Sequence, residues 1–192
     1  MSYTYKGVRC LKSPIDLAIY MRLIWDLKPR TLIEIGSHSG GSALFFADLL
    51  EMFGCDETAV ISIDLTVPEG IKDSRIRFLE GSVFALGTAL EPVGLTDLPH
   101  PWFVTGDSAH SYDGCLSALG FFAKHMQAGD ILAIEDGVLD DLGLGPEYQG
   151  GPNRAIADFL TARPGVFEIE TGLCDMFGMN ATYNPNGYLR KL

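Results

Sequence analysis

The chain has 192 residues, 47% of them hydrophobic, enough for one domain spanning 1–192 with a full-sized core. Its 25 acidic residues against 14 basic ones leave a net charge of −11. No Lys/Arg cluster appears, which argues against a nucleic-acid surface, while the excess of acids is compatible with a metal cation. The N-terminal Met1-Ser-Tyr-Thr-Tyr-Lys6 lacks the apolar core of a signal peptide, and no run reaches membrane-spanning length, so a cytoplasmic protein without membrane contact is expected. Cys10, Cys55, Cys115 and Cys174 are scattered without C-x-x-C pairs and read as reduced thiols.

Residues 1–30 read as an N-terminal helical arm. Ser13-Pro14-Ile15-Asp16 is a helix start, with a Ser cap, Pro in the first turn and an acid near the positive end of the dipole. The helix should run to about Leu27, with Ile15, Ile19, Leu23 and Trp25 among its apolar positions; Lys28-Pro29-Arg30 ends it.

Next comes Thr31-Leu-Ile-Glu-Ile-Gly-Ser-His-Ser-Gly-Gly-Ser-Ala-Leu-Phe-Phe-Ala47, an apolar strand carrying Glu34, a glycine turn, and a helix expected from about Gly41 to Phe53. Glycines let the backbone approach a ligand closely, and the helix N-terminus offers free N–H groups to an anion. Gly36-x-x-x-Gly40-Gly41 is not the dinucleotide fingerprint, and no Gly-Lys-Ser/Thr follows, so a P-loop is excluded. A looser turn beside an acid suits a ligand with an ammonium and a carboxylate, such as S-adenosylmethionine. A β-α turn that binds nothing fits the stretch equally well.

Thr58 to Asp64 is a second strand that also ends in an acid. Asp64 is placed to accept from both hydroxyls of a ribose, or else to cap a loop. Arg75 to Leu79 reads as a third strand, followed by Ser82 and Val83, which either line an adenine pocket or start the next helix. Pro92 to Pro101 is a loop. A fourth strand, Trp102 to Thr105, delivers Gly106-Asp-Ser-Ala-His-Ser-Tyr-Asp113 at its end, and a helix from about Ser111 to His125 carries Leu116, Leu119 and Phe122 at core spacing. Gly129 to Asp136 is a fifth strand ending in paired acids. The glycine-rich loop 137–151 is long enough for a lid. A helix over Pro152 to Leu160 follows, then strands at Val166–Thr171 and Asn180–Tyr183, a turn at Asn184-Pro-Asn-Gly187, and Tyr188-Leu189 continuing the last strand. Alternating β and α elements predict an α/β fold: a doubly wound, mostly parallel seven-stranded sheet of Rossmann-like form.

Ligands of such sheets bind outside the carboxyl ends of the strands, where Glu34, Asp64, Asp107, Glu135 and Asp136 all fall. Like charges gathered in one crevice usually hold a cation. Asp107, Glu135 and Asp136 offer three hard oxygen ligands of the kind Mg²⁺ takes; a solvent-facing Glu135-Asp136 cap is the plainer alternative. His110, three residues after Asp107, is placed either to take a proton from a metal-activated hydroxyl or to hold the helix start. His38, His100 and His125 are read as structural.

Together these residues resemble the rhamnosyl O-methyltransferase/cephalosporin hydroxylase family, of the class I S-adenosylmethionine-dependent methyltransferase-like fold. The resemblance rests on Gly7-Val-x-Cys-Leu-Lys-x-Pro-x-Asp-Leu17, the 32–47 glycine stretch, Ile61 to Asp64, Asp107-Ser-Ala-His-Ser-Tyr112, Ile134-Glu-Asp136 and Asn184-Pro-Asn-Gly-Tyr-Leu189. It implies cofactor contacts at Glu34, Gly36, Ser42 and Asp64, a divalent metal at Asp107, Glu135 and Asp136, and a general base at His110. The sequence departs from the family pattern at Ala109, where an Asp is expected. The activity implied is methylation of a hydroxyl on a small acceptor, a sugar or a natural-product intermediate, by a homo-oligomer. A β-lactam hydroxylase role and a non-catalytic S-adenosyl-binding subunit are the alternatives.

Overall fold

The computed structural model describes residues 3–192. A short hairpin, β1 (Thr4–Tyr5) and β2 (Val8–Arg9), opens the N-terminal arm ahead of its helix. Helix α1 (Pro14–Leu27) follows, capped by Ser13, whose hydroxyl accepts from the Ile15 N–H at 3.2 Å, and ended by Lys28 in left-handed conformation. Its buried face is Ile19, Tyr20, Leu23 and Ile24. Ile15 and Trp25, expected on that face, are exposed. Trp25 packs edge-on to Phe53 under the Lys28 ammonium instead.

The remaining strands are β3 (Thr31–Ile35), β4 (Ala59–Asp64), β5 (Ile76–Glu80), β6 (Trp102–Gly106), β7 (Ile131–Ile134), β8 (Phe167–Ile169) and β9 (Tyr188–Lys191). They form one seven-stranded sheet in the order β5-β4-β3-β6-β7-β9-β8, parallel except for β9, which runs antiparallel to both neighbours. Side chains alternate between the two faces. Ile33, Ile61, Val104 and Leu132 lie in register and face α3 (Leu86–Leu90), α4 (Tyr112–His125) and α5 (Gly151–Ala162). Leu32, Val60, Phe103 and Ile131, one residue earlier on each strand, pack under α1 and α2 (Gly41–Met52). Both faces are dry, which is why these strands read as continuous apolar runs.

Two expected elements differ. Residues 180–183 are not a strand. Asn180 is left-handed, the Thr182 N–H donates to the Asn180 carbonyl at 2.8 Å and the Tyr183 N–H to Asp16 of α1, so neither N–H is left for a ladder; the Thr182 hydroxyl also donates to Asp16. A four-residue helix, α6 (Thr171–Cys174), also interrupts the path from β8 to β9. The 137–151 segment is not structureless: 3₁₀ turns occupy Gly137–Leu139 and Gly145–Tyr148. Among the described residues no helix is long and apolar enough to cross a membrane.

Asp16 is 2% exposed and also accepts from the Tyr188 hydroxyl at 3.1 Å, so one carboxylate ties α1 to the C-terminal segment and to β9. Asp16→Ala would leave two buried hydroxyls, of Thr182 and Tyr188, and the half-buried Tyr183 N–H without an acceptor, and is expected to lower stability by about 3 kcal/mol in denaturant unfolding. A loss below about 0.5 kcal/mol would show that water replaces the carboxylate.

Candidate functional site

Period-2 alternation places a polar row on the α1/α2 face at the carboxyl end of the sheet. Glu34 is in register with Ser62 on one side and Thr105 on the other. Ser62 donates to Glu34 Oε2 at 2.5 Å, while Oε1, fully buried, has no partner. Glu135 follows Ala133 with the same parity and turns to the same face. The Thr105 hydroxyl and the Lys12 ammonium, the latter at 2.7 Å, donate to its Oε1. Lys12 also donates to Asp107 Oδ2 at 2.6 Å. Burial opposes the charge on Lys12, but Asp107 and Glu135 hold its pKa well above the ordinary lysine value. Burial raises the pKa of Glu135, to about 8, and that of Glu34, with Lys12 opposing in both cases.

Asp136 begins the next turn in left-handed conformation, which rotates its carboxylate away from that row. It meets His110, also left-handed, whose Nε2 lies 3.5 Å from Asp136 Oδ2 and 3.6 Å from Asp107 Oδ1. Ligating atoms of Asp107, His110 and Asp136 all lie within 4.8 Å of one another. Burial and the neighbouring Asp107 raise the Asp136 pKa, opposed by His110. Of the expected trio of Asp107, Glu135 and Asp136, the two aspartates stand in this cluster, and Glu135 lies next to them with Oε1 on the same Lys12 ammonium that holds Asp107. His110 joins the two aspartates, and Glu135 points one oxygen inward to Lys12 because its strand parity turns it to the α1/α2 face. The two carboxylates are hard oxygen ligands of the kind Mg²⁺ or Mn²⁺ takes, whereas an imidazole ligand suits a transition metal better than Mg²⁺.

Asp107 and His110 form one wall of a cavity of about 550 Å³, a size that suits a nucleoside-bearing ligand. Gly36, Ser42, Asp64, Ser82, Asp107, His110 and Asp136 line it, whereas Glu34 and Glu135 lie beneath it. Gly36 has φ +99°, and a Cβ there would sit 1.8 Å from the Asp107 carbonyl oxygen. The turn therefore passes against β6, and the Asp107 N–H donates to the Ile35 carbonyl at 2.8 Å. Asp64 accepts from the His38 N–H at 2.7 Å and so braces the same turn from β4. The N-terminus of α2 has no side-chain cap and no acid in its first turn, leaving its N–H groups to the cavity. Ser37, which also lines the cavity, is buried with an unpartnered hydroxyl. Ser82 caps the 3₁₀ turn at Val83–Ala85 from the far wall, and His38 contributes its backbone as well as lining the cavity. His100 is held by Asp130 at 2.7 Å and stacks on Trp102, outside the cavity.

Sequence reasoning gave no role to Lys12 or Ser37. A lysine fixed between an apolar residue and a helix cap, in so acidic a chain, was the available signal; Ser37 had none beyond its place in the glycine turn.

A family model described as Rhamnosyl O-methyltransferase/CmcI matches residues 1–192. The rhamnosyl O-methyltransferase of Mycobacterium leprae (strain TN) is 32% identical over 190 residues, covering 97% of this chain and 82% of that protein. The protein of the same name from Mycobacterium tuberculosis (strain ATCC 25618 / H37Rv) is 28% identical, with 97% and 77% covered. A solved structure of CmcI described as Mg-SAM superposes with a TM-score of 0.76 at 28% identity, over 99% of this chain and 76% of that one. The methyltransferase MycE of the mycinamycin pathway, in complex with Mg, SAH and mycinamycin VI, shares the fold at a TM-score of 0.57 and 19% identity, over 74% and 41%.

Gly36 tests the closeness of the turn. Gly36→Ala is expected to cost about 3 kcal/mol, from the clash together with the left-handed φ. Gly54→Ala, at φ +68° with nothing within 4 Å of its Cβ, should cost only about 1 kcal/mol in the same denaturation assay. Equal losses would show that β6 yields to the extra methyl group.

Proposed function

The chain belongs to the rhamnosyl O-methyltransferase/CmcI family, and from that premise we propose that it moves the methyl group of S-adenosylmethionine to a hydroxyl of a small acceptor, a sugar or a natural-product intermediate, with the help of a divalent cation. One observation carries the reading. The donor cavity and the Asp107–His110–Asp136 cluster share a wall, so a methyl donor and a cation-held hydroxyl would lie side by side.

The residues fit both groups. An unpartnered Ser37 hydroxyl and the open α2 N-terminus suit the amino-acid end of the donor, and Asp64 suits its ribose. Gly36 lets the backbone come close, and Ser42 and Ser82 take positions at the two ends of the ligand. Glu34 acts from below, holding the turn through β4. Asp107 and Asp136 are the cation's oxygen ligands, with Glu135 beside them. When bound, the donor supplies an electrophilic methyl on a sulfonium, and the cation lowers the pKa of the acceptor hydroxyl. His110 Nε2 takes the hydroxyl proton as the oxygen attacks. The chain's main contribution is then alignment of the oxygen with the methyl, in a site whose charges are already fixed.

The nearness of His110 Nε2 to both aspartates favours a second reading, in which the imidazole is itself a ligand. One variant separates the two. If His110 is the base, His110→Ala lowers kcat by 10²- to 10⁴-fold, measured as S-adenosylhomocysteine release with a methyl rhamnoside as acceptor, and leaves Mg²⁺ affinity within about threefold of wild type. A matching collapse of Mg²⁺ affinity would make it a ligand. Unchanged turnover would remove it from the reaction.

A further inference from the structure

Lys12 is 2% exposed, and it reaches the carboxyl end of the sheet from the N-terminal arm rather than from a strand. The arm is held in place around it. The Cys10 N–H donates to the Tyr3 carbonyl at 3.1 Å, Ser13 caps α1, and Gly41 at the start of α2 runs so close that a Cβ would sit 2.3 Å from the Arg9 carbonyl oxygen. The backbone on both sides of Lys12 is therefore fixed, and its Nζ is delivered to one point.

At that point it takes one oxygen from each of two carboxylates, Asp107 Oδ2 at 2.6 Å and Glu135 Oε1 at 2.7 Å. The oxygen of Asp107 that remains, Oδ1, is the one that faces His110. We propose that Lys12 is a positioning residue of the cation site: by gripping Oδ2 of Asp107 and Oε1 of Glu135 from beneath, it fixes both carboxylates in the rotation that leaves Asp107 Oδ1 toward the cluster. This rests on the reading that Asp107 and Asp136 hold a divalent cation. Ligating carboxylates are commonly oriented by a donor on their other oxygen, and loss of such a donor weakens metal binding by 10- to 100-fold.

The sign of the effect separates positioning from a bare charge effect. Lys12 carries a positive charge next to the site, so if charge were its only contribution, its removal would tighten cation binding. If it positions Asp107, removal weakens binding. The measurement is Mg²⁺ affinity by calorimetry on the full chain saturated with S-adenosylhomocysteine. Lys12→Met is expected to lose at least tenfold in affinity, and Lys12→Arg to recover part of the loss.

Lys12→Met leaves the buried Glu135 without its counter-charge, which puts folding itself at risk. The decisive pair is therefore Glu135→Gln against Lys12→Met/Glu135→Gln, in which no uncompensated charge is buried. A tenfold or greater loss in the double variant relative to Glu135→Gln supports the proposal; where Glu135→Gln by itself takes up no Mg²⁺, the reading passes to Lys12→Arg, which keeps the charge and changes the grip, so that a loss of affinity against wild type supports the proposal and an unchanged affinity overturns it. Equal or tighter binding in the double variant overturns it. Wild-type protein that takes up no Mg²⁺ overturns the cation reading, and the proposal with it, whereas wild-type binding with an unweakened double variant overturns the proposal alone.

Discussion

The site is organised by the need to keep carboxylates together at the dry end of a parallel sheet. Glu34 and Glu135 are fully enclosed, and Asp107 and Asp136 stand at the cavity edge. Without compensation this arrangement is costly, because burial disfavours each charge and the neighbours repel. The structure divides the load by face. On the α1/α2 face, Ser62, Thr105 and the Lys12 ammonium donate to the interior pair, leaving Glu34 Oε1 without a partner. On the cavity side, Asp107, which Lys12 also holds, and Asp136 converge with His110, and the proposed cation would supply the remaining compensation there. Strand parity decides which acid goes where: Glu135 continues the row of Ala133, and the left-handed backbone at Asp136 breaks that row.

The same end of the sheet explains why donor and acceptor chemistry coincide. Gly36 brings the first turn against the Asp107 carbonyl, so the turn that leads into α2 and the aspartate proposed as a cation ligand are separated by one backbone contact. Asp64 braces that turn through the His38 N–H. A bound donor would thus be held by backbone geometry on one side, with the hydroxyl held by fixed charges on the other. Such an arrangement lowers a methyl-transfer barrier through proximity and electrostatics rather than through covalent chemistry.

Much of this was legible in the sequence because it is local. The β3–turn–α2 stretch, the acid at the end of β4 and the Asp107-x-x-His110 spacing each occupy a few consecutive residues, and the seven-stranded α/β sheet follows from their alternation. What could not be read depends on contacts far apart in the chain. Lys12 meets Asp107 across 95 positions and Glu135 across 123. Residues 180–183 have strand composition, but a single carboxylate 167 positions away takes the Tyr183 N–H that a ladder would use. That Glu135 turns one oxygen to Lys12 while Asp136 turns to His110 depends likewise on partners distant in the chain, so the sequence could name these acids without dividing them between the two sides. Ile15 and Trp25 fit a helical apolar stripe by type, yet the face that meets the sheet is centred on Tyr20 and Leu23.

The most direct test of a donor cavity sharing a wall with a cation site is calorimetric titration of the wild type and Asp107→Ala with S-adenosylhomocysteine and then Mg²⁺. The account predicts that both proteins bind S-adenosylhomocysteine, that the wild type then shows a saturable Mg²⁺ signal, and that Asp107→Ala does not. A wild type that binds no S-adenosylhomocysteine, or a Mg²⁺ signal that survives in Asp107→Ala, would contradict it.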